Sequence, residues 1–120
     1  ALAQDAPATE QLGTLVRGAV DLLVARLPAV TLLLRVRGNS AVELAALERR
    51  RRFDQKVIAL VARAQAEGGI RTDIDAAVTT RLIFGMINSV VEWYRPGGPV
   101  DGATLGHDIL EIALGGLAAT

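Results

Sequence analysis

Cysteine is absent from the 120-residue chain, which removes disulfide frameworks, thiol nucleophiles and thiolate zinc sites together. That absence fits a reducing, cytoplasmic setting. Aromatic residues are scarce: Phe53, Phe84, Trp93 and Tyr94 are the whole set, although 51% of the chain is hydrophobic. The interior must therefore be built from Leu, Val, Ile and Ala. Charge of one sign is also missing, because 13 basic and 13 acidic residues cancel, so no global field draws this chain to nucleic acid. No apolar run reaches the roughly 18 residues that a spanning helix needs, and no membrane partner is expected. The opening Ala-Leu-Ala-Gln-Asp has neither a starting Met nor the basic region of a signal peptide; it reads as a piece of something longer.

Catalytic chemistry finds little to use. His107 is the single His, four residues before Glu111, a spacing that sets two donors on one helix face. A third ligand is not apparent, so an exposed or interface His is the plainer reading. Gly97-Gly98 and Gly115-Gly116 lack both the spacing and the preceding strand of a phosphate loop. Ser40 and Ser89 have no His nearby in sequence. No catalytic residue, metal site or cofactor is expected.

What is present is helical punctuation. Pro7 leads into a segment from about Thr9 to Ala25, where Leu12, Leu15, Val16, Ala19, Leu22 and Leu23 keep three-four spacing. Pro28 suits the first turn of a short second helix carrying Val30, Leu32, Leu33 and Leu34, closed by Gly38. Ser40-Ala41-Val42-Glu43 is a capping box, and the helix it opens should run to about Glu67, about 40 Å at 1.5 Å per residue. Gly68 and Gly69 end it, with Ile70 as the hydrophobic residue beyond the cap. Asp75 caps a helix predicted from Ala76 to Tyr94, broken off by Arg95-Pro96-Gly97-Gly98-Pro99. Asp101 caps a last one from Gly102 to Leu117. Strand alternation is not sustained anywhere. The expectation is an all-α, single helical domain of about five helices.

The last two helices carry too much apolar surface for a small monomer. Either the helix from Ala76 to Tyr94 is a central core helix, or the pair forms a four-helix-bundle homodimer interface across a two-fold axis. The second is the expectation, with Arg81, Gly85, Asn88, Ser89 and Glu92 on one helix and Leu105, Ile109 and Ile112 on the other as interface residues.

The run Arg49-Arg50-Arg51-Arg52 spreads its members around a helix rather than along a stripe, with Glu48 and Asp54 able to pair at i,i+4. Arg50 differs in projecting among Ala46, Phe53, Val57, Val61 and Ala64, a poor environment for an unpaired guanidinium. Asp54 or another carboxylate would satisfy it; so would an acidic ligand group.

The segments Gly69-Ile70-Arg71-Thr72-Asp73-Ile74-Asp75, Arg81 to Asn88 and Glu92-Trp93-Tyr94-Arg95-Pro96-Gly97-Gly98 resemble the C-terminal domain of TetR-family transcriptional regulators. The likeness spans Ser40 to Leu117, and Ala1 to Asn39 only by helix order. The resemblance implies an effector-binding, homodimerising domain of a bacterial transcriptional repressor, responding to a small hydrophobic ligand. Its Trp-Tyr-Arg-Pro-Gly-Gly ending is similar to a branch whose effectors are acyl-CoA thioesters or related lipid and steroid products. DNA would be bound only through an N-terminal helix-turn-helix head of roughly 50 residues, which this chain does not contain. Within that frame Leu33, Phe53, Val57, Met86, Val90 and Trp93 are the expected pocket lining, with Arg50 and Tyr94 as polar contacts. A ligand-free dimerisation module and a small lipid-binding helical protein are the alternatives.

Overall fold

The computed structural model describes residues 6–35 and 40–117, and every regular element among them is a helix. In chain order these are α1 (Ala8–Ala25), α2 (Leu27–Leu34), α3 (Ala41–Ala66), α4 (Ala76–Asn88), α5 (Val90–Trp93) and α6 (Gly102–Leu117). The expected stop of α2 at Gly38 lies outside the described residues, as do the side chains of Leu33 and Leu117.

Local chemistry accounts for most of the boundaries. The Ser40 hydroxyl accepts from the Glu43 amide at 3.1 Å and opens α3. At the other end, Gly68 takes φ +82°, the left-handed conformation in which only glycine avoids a Cβ clash. Its amide and that of Gly69 then reach back to the Gln65 and Ala64 carbonyls, which closes α3 as a Schellman motif. Gln65 also donates from Nε2 to the Arg71 and Ile74 carbonyls, at 3.1 and 2.8 Å, and so shapes the turn into α4. Asp75 accepts from the Ala77 and Val78 amides to start α4, and Asp101 accepts from Ala103 to start α6.

Helix α1 has no cap of its own, because Pro7 occupies that position without a side-chain acceptor. Glu67, just past the end of α3, supplies one from a distance: its Oε1 accepts from the Ala8 amide at 2.8 Å. In the same turn Arg71 donates to Asp73 through two 2.6 Å hydrogen bonds, which hold the Asp73 carboxyl below its ordinary range.

The helix expected from Ala76 to Tyr94 is interrupted at Ser89, which separates α4 from the one-turn α5. The Ser89 hydroxyl donates to the Met86 carbonyl at 2.6 Å, a local bond that competes with the helical ladder. Tyr94 has left the helix altogether, with ψ 136°.

Leu12, Val16, Val20 and Leu23 of α1 form the spine of the core. Against it lie Val57, Leu60, Val61 and Ala64 of α3, Ile83 and Ile87 of α4, and Leu105 and Ile109 of α6. The tightest pairing is α1 on α6. Gly106 allows it: a Cβ there would stand 3.2 Å from Asp21 Oδ1 and 3.7 Å from Val20 Cβ.

Candidate functional site

Between α1, α2, α3 and α4 the packing leaves a cavity of about 980 Å³, at the upper end of the roughly 300–1,000 Å³ of small-molecule sites. Its origin is visible in α3. In the second half of that helix Val57, Leu60, Val61 and Ala64 are buried in the core, while no residue of the first half is buried. Leu15, Ala19 and Leu22 of α1 and Val30 and Leu34 of α2 form the aliphatic side of the space. Phe53 of α3 and Phe84 of α4 meet across it edge to face, with ring centroids 5.6 Å apart and planes at 88°. Thr80 adds a hydroxyl that donates to the Ala76 carbonyl and keeps its lone pairs for other use.

Charge at this cavity is one-sided. Arg49, Arg50, Arg51 and Arg81 line it, and Asp54 is the acidic residue among them. In a chain with no net charge, four guanidiniums against one carboxylate make a locally positive wall. The run of arginines does spread around its helix, yet three of its four members reach the same cavity, because long side chains span more arc than their Cβ directions suggest. The expected pairing of Glu48 with Arg52 is absent among the described residues.

Of the residues expected at the pocket, the structure brings Arg50 and Phe53 to its wall. Val57 and Val90 are fully buried in the core instead, Met86 packs partly buried against that core, and Trp93 is half exposed on the outside. Tyr94 is buried with its hydroxyl against Gly102 at the start of α6. The side chain of Leu33 lies outside the described residues. On α4 the wall is made by Thr80, Phe84, Ile87 and Asn88, a face turned away from Met86, Val90 and Trp93. The pairing of the only two phenylalanines was the available signal for Phe84.

The expected interface residues divide in the same way. Arg81, Gly85, Ser89, Glu92 and Ile112 are exposed and Asn88 is half-buried. Leu105 and Ile109 are buried within the chain, against α1, and so have little surface to give a partner. Arg81, Gly85 and Asn88 also line the cavity. His107 and Glu111 stand 3.9 Å apart on exposed α6 surface, and no metal-binding cluster of three or more His, Cys, Asp or Glu occurs among the described residues. No described helix is long and apolar enough to cross a membrane.

The fold and much of the sequence are shared with known regulators. A solved member of the TetR transcriptional regulator family from Streptomyces coelicolor A3, SCO3833, is 51% identical and superposes with a TM-score of 0.86, over 93% of this chain and 57% of that one. The HTH-type transcriptional repressor KstR2 of Mycolicibacterium smegmatis is 38% identical over 52 residues, 43% of this chain and 25% of the repressor. A third similarity is in fold alone: AibR, solved in complex with isovaleryl coenzyme A and operator DNA, gives a TM-score of 0.79 at 18% identity, over 91% of this chain and 60% of that one. This chain thus spans little more than half the length of the solved relatives and matches a quarter of the curated one. Residues 5–117 match the family described as tetracyclin repressor-like, C-terminal domain. The chain belongs to that TetR family, whose members are transcriptional regulators and not enzymes.

Proposed function

We propose that this chain is the effector-sensing, homodimerising domain of a bacterial TetR-type repressor acting in the cytoplasm, and that its effector is a small hydrophobic molecule with an anionic group. The cavity carries this reading: aliphatic and phenylalanine walls suit an acyl or ring body, and Arg49, Arg50, Arg51 and Arg81 suit the acid. An acyl-coenzyme A thioester or a lipid-derived acid has that character, and AibR, of the same fold, was solved with isovaleryl coenzyme A. A purely structural dimerisation module would have filled this space, and a lipid carrier would not share a family with repressors. The DNA-reading head would be supplied by sequence outside this chain, and ligand binding would shift the helix packing that sets the spacing of two such heads.

Calorimetric titration with lauroyl-coenzyme A and with neutral methyl laurate tests the assignment. Arg50→Gln should weaken the acyl-coenzyme A by roughly 1.5–3 kcal/mol, the range for hydrogen bonds involving charge, and leave the neutral ester nearly unchanged. Equal losses for both ligands would mark a folding defect, and no binding of either by the unaltered protein would overturn the reading.

A further inference from the structure

The polar side chains described at the cavity all come from α3 and α4, while α1 and α2 give it only aliphatic residues and Gly18. Among those polar residues Thr80 is the buried one, at 3% exposure, and it is neutral. Its hydroxyl donates its single proton to the Ala76 carbonyl at 2.9 Å, so toward any other partner it can only accept. None of the described residues donates to it. Phe84 stands one turn further along α4 and Asn88 one turn beyond that, so the three share a stripe on the cavity wall. Asn88 is half-buried, and its amide makes no hydrogen bond among the described residues. Thr79 is the counter-case on the same helix, because it is 1% exposed and does not line the cavity.

A purely aliphatic ligand laid on this stripe would strip water from the Thr80 oxygen and return nothing, which costs free energy. A ligand that brings an O–H or N–H restores the lost bond. Buried groups left unpaired discriminate between ligands more sharply than a small change of size does. We infer that Thr80 is a specificity-determining residue: it accepts a hydrogen bond from an uncharged O–H or N–H of the effector. The molecule that fits best is then not plain hydrocarbon beyond its acid. It carries a hydroxyl in its body, or an amide in the arm that joins the body to the acid. The arginines hold the anion, and Thr80 reads the neutral part. The inference rests on the cavity being the effector site.

Calorimetric titration of the 120-residue chain with laurate, β-hydroxylaurate, ω-hydroxylaurate and lauroyl-coenzyme A reads the donor and its source. Thr80→Val keeps the shape and removes the acceptor. It should weaken at least one hydroxylaurate about tenfold, near the ceiling for one neutral hydrogen bond, and leave laurate unchanged. A loss confined to lauroyl-coenzyme A also supports the inference, and assigns the donor to the amides of the pantetheine arm. Thr80→Ser, which retains the hydroxyl, should keep the selectivity of the unaltered chain. Thr79→Val, the same chemical change away from the cavity, should alter none of the four affinities. Should Thr80→Val fail to fold, Thr80→Ala set against Thr80→Ser draws the same comparison. Thr80→Val affinities unchanged for every probe, or lowered equally for laurate and the rest, overturn the inference and leave the effector cavity standing. Failure of the unaltered protein to bind any probe removes both.

Discussion

Thr79 is the residue whose environment is least like its chemistry. It is 1% exposed on α4, and its hydroxyl has no hydrogen-bond partner among the described residues. Burying an unpaired hydroxyl costs about 1–3 kcal/mol, whereas an apolar side chain of similar shape avoids that penalty. Thr79→Val should therefore raise stability by about 1 kcal/mol in urea unfolding at fixed protein concentration. A loss of that size would show that the hydroxyl is satisfied in solution. Neighbouring Thr80 makes the contrast, because its hydroxyl is bonded to the Ala76 carbonyl and the same replacement there removes a made bond.

At the scale of the element, the helix ends marked by local caps were legible; the break of the expected Ala76–Tyr94 helix at Ser89 was not, and neither were helix faces. Ser40, Asp75, Asp101 and Gly68 act through bonds to residues two to four positions away, so the sequence around each contains everything its role requires. The start of α1 was not legible either, since its cap comes from Glu67, 59 residues away, and no local pattern announces that. Glu67→Ala should cost about 1 kcal/mol, the usual value of a lost cap, and should speed amide exchange in the first turn of α1. Unchanged exchange at Ala8 would contradict the role. Faces fail for a different reason. Helix α4 is apolar over most of its circumference, so nothing in it says which arc meets the core, the cavity or a second chain. That is why Met86 and Val90 were expected at the pocket while Phe84 and Ile87 form it. Leu105 and Ile109 show the same ambiguity on α6: an apolar residue records that it needs cover, not what covers it, and here α1 does.

For the whole molecule, the distribution of charge matters more than its total. Four of the 13 basic residues, Arg49, Arg50, Arg51 and Arg81, line a ligand-sized cavity, Arg17, Arg26, Arg52, Lys56, Arg63, Arg71 and Arg95 are spread over exposed surface, and the sum over the chain is zero. A phosphate backbone needs several cations presented together along a surface. The 120-residue chain alone should consequently give no sequence-specific retardation of duplex DNA at physiological salt; a tight, specific shift would mean that it carries a DNA-reading surface of its own. All-α architecture and family were readable at this scale because helical spacing and the Gly-Ile-Arg and Trp-Tyr-Arg-Pro-Gly-Gly segments extend over much of the chain. The cavity was not, because it is a gap between four helices and no single segment encodes it.

The bond from Glu67 to Ala8 also has a mechanical meaning. It ties the beginning of α1 to the end of α3, so a pull applied just before α1 is loaded onto both helices at once. Tension that would otherwise peel α1 away turn by turn must first break this stitch. A displacement of α3 would travel by the same route in reverse, reaching the chain that leads into α1 without crossing the core.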